Sequence, residues 1–319
     1  LSVVFYVWTA VFNLFVVSIF WAFLSDVFSS PQAKRLYGFI GVGGTLGAIS
    51  GSSVTAFLVE LIGIPNLMLI SAVLLEGALF AVRRLPALAK RFPEADRKTS
   101  EEAERPIGGK VIAGISHAFR NPYLLAISAY ILIYAITNTV LYFAKIDIVA
   151  RTFADDVART SFFAKVDLAV NVATVLTQMF LTGRIIRALG VGLTLGILPV
   201  VSILGFASLG VWPTLTIVVV FESIRRTGNY ALSRPARETL YTVVSREDRY
   251  KAKALIDTFV YRSGDLVGAW YSGGLLEGLA LSLGSMSLIT APVAGIWLAL
   301  AIWLGREQEK RAEEMDVPQ

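Results

Sequence analysis

Apolar runs of bilayer-crossing length recur along the whole chain, separated by short polar or turn-forming joints. Nine are predicted, over 1–24, 37–61, 65–82, 122–144, 161–183, 190–210, 213–234, 254–279 and 284–304. Each is close to the ~20 residues that a helix needs to cross the hydrocarbon of a membrane. Turn chemistry falls at the joints: Gly63 to Pro65, Asn121-Pro122, Gly190, Trp212-Pro213 and Gly284. The pattern predicts an all-α, polytopic membrane protein. The 83–121 stretch breaks the rhythm, being charged and carrying Pro86, Pro93 and Pro106. It is predicted as a linker ending in a short amphipathic pattern (Val111, Ile112, Ile115, Phe119), with His117 a solvated or interfacial side chain. Three spans (1–82) precede it, six (122–305) follow, and 306–319 form a polar tail.

Polar residues inside the spans are placed with helical spacing. Asp167, Asn171, Thr174 and Gln178 share one helix face, and Tyr130, Tyr134, Asn138 and Lys145 lie on a comparable strip. A weaker strip joins Tyr6, Thr9 and Asn13. A single stripe serves well as interhelical hydrogen bonding, whereas several together suit a shared hydrated cavity. Gly41, Gly44, Gly47 and Gly51 form a small-residue face, expected to pack closely against a neighbouring helix.

The ionisable residues sharpen this picture. Glu222, Arg225 and Arg226 stand in the middle of an apolar span, where each charge costs roughly 2.5–3.5 kcal/mol on insertion scales. Their i,i+3 and i,i+4 spacing allows pairing along one helix, either to lock helices together or to line a polar path. Arg262 and Asp265 are spaced to pair in the same way, and Asp257 is expected at a cap or mouth. Lys145 and Lys165 are expected to reach an interface, and Glu76 is isolated within its span. Glutamates such as Glu222 and Glu76 are candidates for carrying protons, arginines for gripping phosphate in a bidentate way, and Tyr130 and Tyr134 for stacking on a ring.

Twenty-two of the 29 basic residues fall on one alternate set of loops, Lys34 and Arg35 among them. By the positive-inside rule that face, with the carboxyl terminus, is expected to be cytoplasmic. The chain is 55% hydrophobic and 17% charged, with a net charge of +5. The charge therefore follows topology and gives no reason to expect nucleic-acid binding. With no cysteine and one histidine, no thiolate or paired-histidine metal site is expected. No nucleophile–base set or phosphate loop is visible, so neither an enzyme nor a bound cofactor is expected.

Two stretches carry a family resemblance. One runs Val11-Phe-Asn-Leu-Phe, Ser25-Asp-Val-Phe and Gln32-Ala-Lys-Arg-Leu-Tyr-Gly-Phe-Ile-Gly41. The other runs Asn229-Tyr-Ala-Leu-Ser-Arg-Pro-Ala-Arg-Glu238, then Tyr250-Lys-Ala-Lys253, Ile256-Asp257 and Arg262-Ser-Gly-Asp265. The sequence resembles the non-mitochondrial ATP/ADP translocases of plastids and intracellular bacteria. The resemblance implies a twelve-span bundle of the major facilitator type, of which this chain is expected to supply spans four to twelve without the amino-terminal part. It implies exchange of nucleotide or related organic anions across a bacterial inner membrane by alternating access. A proton-coupled carrier of another solute or lipid, or a membrane scaffold, are the alternatives. Residues matching the family motifs are Arg234, Arg237 and Glu238, with Lys251, Lys253, Asp257, Arg262 and Asp265. With Lys34 and Arg35, the cytoplasmic members are expected to act as gate contacts. Glu222, Arg225, Arg226, Arg262, Asp265, Asn171, Gln178, Tyr134 and Asn138 are the expected substrate-binding set.

Overall fold

The computed structural model describes residues 2–28, 30–89, 121–154 and 156–316. Residues 90–120 of the predicted linker, with His117, lie outside them, as do the side chains of Tyr6, Thr9 and Asn13; the linker's first residues, 83–89, instead continue the second helix. The described residues are helical almost throughout, in ten α-helices. The first two are α1 (Ser2–Val27) and α2 (Ser30–Ala89). After the linker come α3 (Pro122–Thr152), α4 (Asp156–Phe180) and α5 (Thr182–Val211). The chain continues with α6 (Leu215–Gly228), α7 (Arg234–Leu240), α8 (Arg246–Leu255), α9 (Tyr261–Gly273) and α10 (Leu283–Asp316). Among the described residues, three helices are both long and apolar enough to cross a membrane: Pro122–Thr152, Thr182–Val211 and Leu283–Met315.

Several joints form as the turn chemistry predicts. Asn121 caps α3 through its side chain, which accepts from Tyr123 N, and Pro122 occupies the first turn, where its missing N–H costs nothing. Gly190 interrupts α5 at φ 75°, a left-handed conformation that glycine adopts freely, and a Cβ there would meet Glu309 Oε1 at 2.8 Å. Thr214 caps α6 after Pro213.

The break expected between 61 and 65 is not formed. The structure carries α2 through Gly63 and Pro65 as one 60-residue helix, about 90 Å long at 1.5 Å per residue. Proline removes one backbone donor there, and the side chain of Asn66 adds a bond to Ile62 O in the same turn. The second and third predicted spans are thus one element.

Packing is tightest where α5 meets α10. A Cβ on Gly305 would fall 2.1 Å from Gly192 Cα, so the two backbones touch directly. Around this seam Tyr123, Ile127, Tyr130, Ile131, Leu195, Leu198 and Trp297 form the main core. A second cluster of Val140, Leu141, Phe206, Phe221 and Met286 holds the opposite ends of α3, α5, α6 and α10. In the predicted glycine face only Gly41 is crowded, by Gln178, and Gly38 packs against Thr182. Gly44, Gly47 and Gly51 face no described neighbour within 4 Å.

Candidate functional site

A cavity of about 680 Å³ opens between α1 and the helices that follow the linker. Its volume is that of a small-molecule site, which typically spans roughly 300–1,000 Å³. α1 contributes Val17, Ser18 and Trp21, and α3 contributes Tyr134, Asn138, Thr139, Tyr142 and Phe143. Across from them stand Asn229, Tyr230, Arg234, Arg237, Glu238, Asp257, Tyr261, Arg262 and Asp265. Two short π-helical turns, Asn229–Ser233 and Ile256–Val260, deliver Tyr230 and Asp257 to this space. Such insertions re-aim side chains and are frequent at functional sites. A smaller annex of about 190 Å³ continues past Tyr134, Asn138 and Tyr230 to Leu141, Glu222, Arg225 and Arg226.

The floor of the cavity is a buried ionic cluster. Lys253, fully buried, donates to Asp257 Oδ2 at 2.8 Å, lies 2.6 Å from Glu238 Oε2, and sits 4.4 Å from the Tyr241 ring centre. Arg237 approaches Glu238 at 3.9 Å, and Ser18 of α1 donates to Asp257. Below the floor, Arg249 clamps onto the end of α1. It donates to Ser25 O at 2.7 Å, to Asp26 Oδ1, and to Tyr241 O and Val244 O on its own side, each at 2.9 Å. Gln308 donates to Ser30 Oγ at 2.8 Å. These contacts tie α1 and α2 to the later helices on the face that carries most basic loops.

The charges of the predicted 213–234 span pair differently from the expectation. Glu222 takes neither Arg225 nor Arg226: Lys145 Nζ donates to it at 2.7 Å. Arg226 pairs with Asp167 of α4. Arg225, 2% exposed, donates to Thr137 O at 2.9 Å, Thr137 Oγ1 at 2.7 Å and Tyr134 O at 3.1 Å, beneath the Tyr134 and Trp297 rings. Tertiary neighbours outcompete the intrahelical geometry because they bring opposite charges from α3 and α4 head-on. Lys145 is correspondingly not a free interfacial residue. Arg262 and Asp265 do pair, at 3.2 Å, as spaced.

Among the described residues around the two cavities, Arg225 and Arg234 are the cations with no carboxylate partner. Arg225 spends both terminal nitrogens on Thr137 and Tyr134, its Nε being buried without a partner like those of Arg234 and Arg237. Arg234 lines the main cavity, and its Nε is buried without a hydrogen-bond partner.

The model of one protein family, the TLC ATP/ADP transporters, matches residues 2–308. The chain belongs to that family. ADP,ATP carrier protein 1 of Chlamydia trachomatis is 23% identical over 94% of this chain and 63% of its own length. ADP,ATP carrier protein 2 of Chlamydia pneumoniae is 21% identical over 98% and 66%. The plastidic ATP/ADP-transporter of Solanum tuberosum is 24% identical over 94% and 52%. This TLC-family chain therefore spans about half to two thirds of the length of these relatives.

Of the substrate-binding set expected for this TLC-family chain, Tyr134, Asn138, Arg262 and Asp265 line the main cavity, and Glu222, Arg225 and Arg226 line the annex. Gln178 does not: buried, it accepts from Thr45 at 2.9 Å and donates to Tyr230 O at 3.0 Å, joining α2, α4 and the π-turn. Asn171, two helical turns away on the same face, is half-buried and not among the lining residues. Tyr130 cannot stack on a ligand, since it is buried with its hydroxyl on Leu195 O and Ser233. Of the expected gate residues, Arg234, Arg237, Glu238 and Asp257 line the main cavity, and Lys253 lies buried beneath it. Lys34 and Arg35 instead flank a separate surface cavity with Arg187 and Glu309. Lys251 lies in α8, and its side chain is outside the described ones. Sequence reasoning missed Arg249, Trp21, Tyr230 and Tyr261. Arg249 stands inside a charged loop, where nothing marks one arginine as buried.

Proposed function

We propose that this chain forms most of the transport path of a nucleotide antiporter of the ATP:ADP type, working by alternating access. The relatives named for ADP and ATP supply the substrate class, and the cavity supplies chemistry that suits it. The observation that carries the reading is Arg234, a cavity-lining guanidinium with no carboxylate partner beside the paired Arg237 and Arg262. Guanidinium forks suit phosphate oxygens, with two parallel hydrogen bonds per arginine. The α3 wall opposite offers Tyr134, Tyr142 and Phe143 with the amide of Asn138, and Tyr230, Tyr261 and Asn229 stand on the arginines' own side, so aromatic faces on which a base can stack flank the cavity.

The wider architecture belongs to the same proposal. The six spans after the linker form one lobe of a major-facilitator bundle, α1 and α2 belong to the other, and the basic loops with the carboxyl terminus face the cytoplasm of a bacterial inner membrane. The contacts between α1 and the floor then close the cavity on the cytoplasmic side. Rocking the lobes apart there requires breaking the Arg249 clamp and the Ser18–Asp257 bond. The protein acts as a carrier, with no bond made or broken in its cargo.

The test is exchange by the full-length protein in liposomes loaded with ATP and supplied with labelled ADP. Uptake that needs internal nucleotide and survives collapse of the proton gradient supports the reading. Uptake that vanishes with the gradient points to a proton-coupled carrier. No uptake, and no thermal stabilisation by any nucleotide, points to a scaffold.

A further inference from the structure

A second cavity, of about 520 Å³, lies against the outer turns of α3 and α4. Its lining comprises Lys145, Ile146, Val149, Ala150, Arg159, Phe163 and Asp167. No described residue lines both this antechamber and the annex of the main cavity, but two ion pairs reach from one to the other. Lys145 lines the antechamber and its partner Glu222 lines the annex. Asp167 lines the antechamber and its partner Arg226 lines the annex. Each salt bridge thus crosses the wall between the two spaces, one from each direction.

The same four charges have a second neutral pairing. Glu222 and Arg226 are i,i+4 on α6, a spacing at which opposite charges meet on one helix face, and Glu222 already acts electrostatically on Arg226. Lys145 and Asp167 share the antechamber. Crossed pairing stitches the wall shut; pairing along each side leaves it unstitched with no charge stranded. The exchange is inexpensive because none of the four is deeply buried: side-chain exposures are 23% and 18% for Lys145 and Glu222, and 35% and 51% for Arg226 and Asp167. Two arrangements of similar energy in one packed element are what a switch requires.

We propose that Lys145, Asp167, Glu222 and Arg226 form a partner-exchange gate between the antechamber and the nucleotide cavity, opened by the phosphate of an arriving nucleotide. This deepens the reading of the main cavity as a nucleotide site. A phosphate in the antechamber meets the Lys145 ammonium and competes with Glu222 for it. Glu222, released, turns to Arg226, and Asp167, losing its partner across the wall, turns to Lys145, which then stands between it and the phosphate. A neutral solute offers Lys145 nothing and leaves the stitches closed, so the gate selects for anions before the main cavity is reached.

The test reads the gate without using transport. These 319 residues contain no cysteine, so Leu141→Cys, which lines the annex but neither other cavity, is a thiol reporter in a full-length protein with any other cysteine replaced by serine. Labelling by a membrane-impermeant thiol reagent is followed with and without added ADP. Exchanging one pair, K145E with E222K, keeps the crossed bridge but sets like charges together in the alternative pairing. That variant should label at least about tenfold more slowly in the presence of ADP than its parent. Exchanging all four charges, K145E, E222K, D167R and R226D, restores both pairings and should restore ADP-stimulated labelling. If the two-residue exchange labels like its parent, the bridges are static struts and the proposal falls. Should the exchanges fail to accumulate, E222Q alone decides: it should label faster without ADP, and an unchanged rate overturns the gate. Parent labelling that ADP accelerates but adenosine does not supports the phosphate trigger; equal acceleration by both removes it. If ADP has no effect while E222Q labels faster, the wall gates but the nucleotide reading fails.

Discussion

Two charged clusters, one at the floor of the main cavity and one in the wall of its annex, are built differently. On the floor, Lys253 is fully buried between two carboxylates, and Arg249 uses its whole guanidinium on one carboxylate and several carbonyls. In the wall, Lys145, Glu222, Arg226 and Asp167 are each partly exposed and each held by a single bridge. A buried charge with several partners is over-determined, and removing one partner leaves the others stranded in low dielectric. A half-exposed bridge is screened by water and costs little to rearrange. On the proposed reading, the floor is a latch that holds one state, and the wall is a contact that can be traded.

The largest effect should come from Lys253→Met. It leaves Asp257 without its bridging cation and Glu238 with only the distant Arg237 at 3.9 Å, with a loss of about 3–5 kcal/mol. Thermal unfolding in detergent should show a sharply lowered Tm, and an unchanged Tm would place water or another cation in the floor. Arg249→Ala comes next. It removes the strongest link between α1 and the later helices, charge-assisted hydrogen bonds worth roughly 1.5–3 kcal/mol each. A thiol placed at Ser18 should become accessible from the basic-loop face at least about tenfold faster. Equal accessibility would show that α1 is held elsewhere. Lys145→Met should change stability least, by about 0–1 kcal/mol, while altering access through the wall. A Tm loss as large as that of Lys253→Met would erase the distinction between the clusters.

The same contrast explains what was readable in the sequence. Helical class, the cap at Asn121, the break at Gly190 and the short-range Arg262–Asp265 pair follow from neighbours along the chain. The stripes and motifs mark Tyr134 and Asn138 as substrate-binding residues and Arg234, Arg237, Glu238 and Asp257 as a gate; that all six line one cavity comes from packing and is not visible in them. The partners of Glu222, Arg225 and Arg226 were not legible: the intrahelical spacing is visible in one segment, whereas Lys145, Asp167 and the Thr137 carbonyl arrive from helices packed alongside. Gln178 and Tyr130 belonged to polar stripes, yet close packing at Gly41, Leu195 and Ser233 turned them into interhelical bonds. The unbroken course of α2 through Pro65 ran against the strongest local turn signal in that region.

The central claim is that the main cavity holds a nucleotide by its phosphates through Arg234. It is tested most directly by comparing Arg234→Gln with the parent in full-length protein, measuring binding of ADP and of adenosine in detergent. The account predicts an ADP affinity at least about tenfold weaker, a loss of 1.4 kcal/mol or more, with adenosine binding unchanged. ADP affinity equal to the parent's would contradict it.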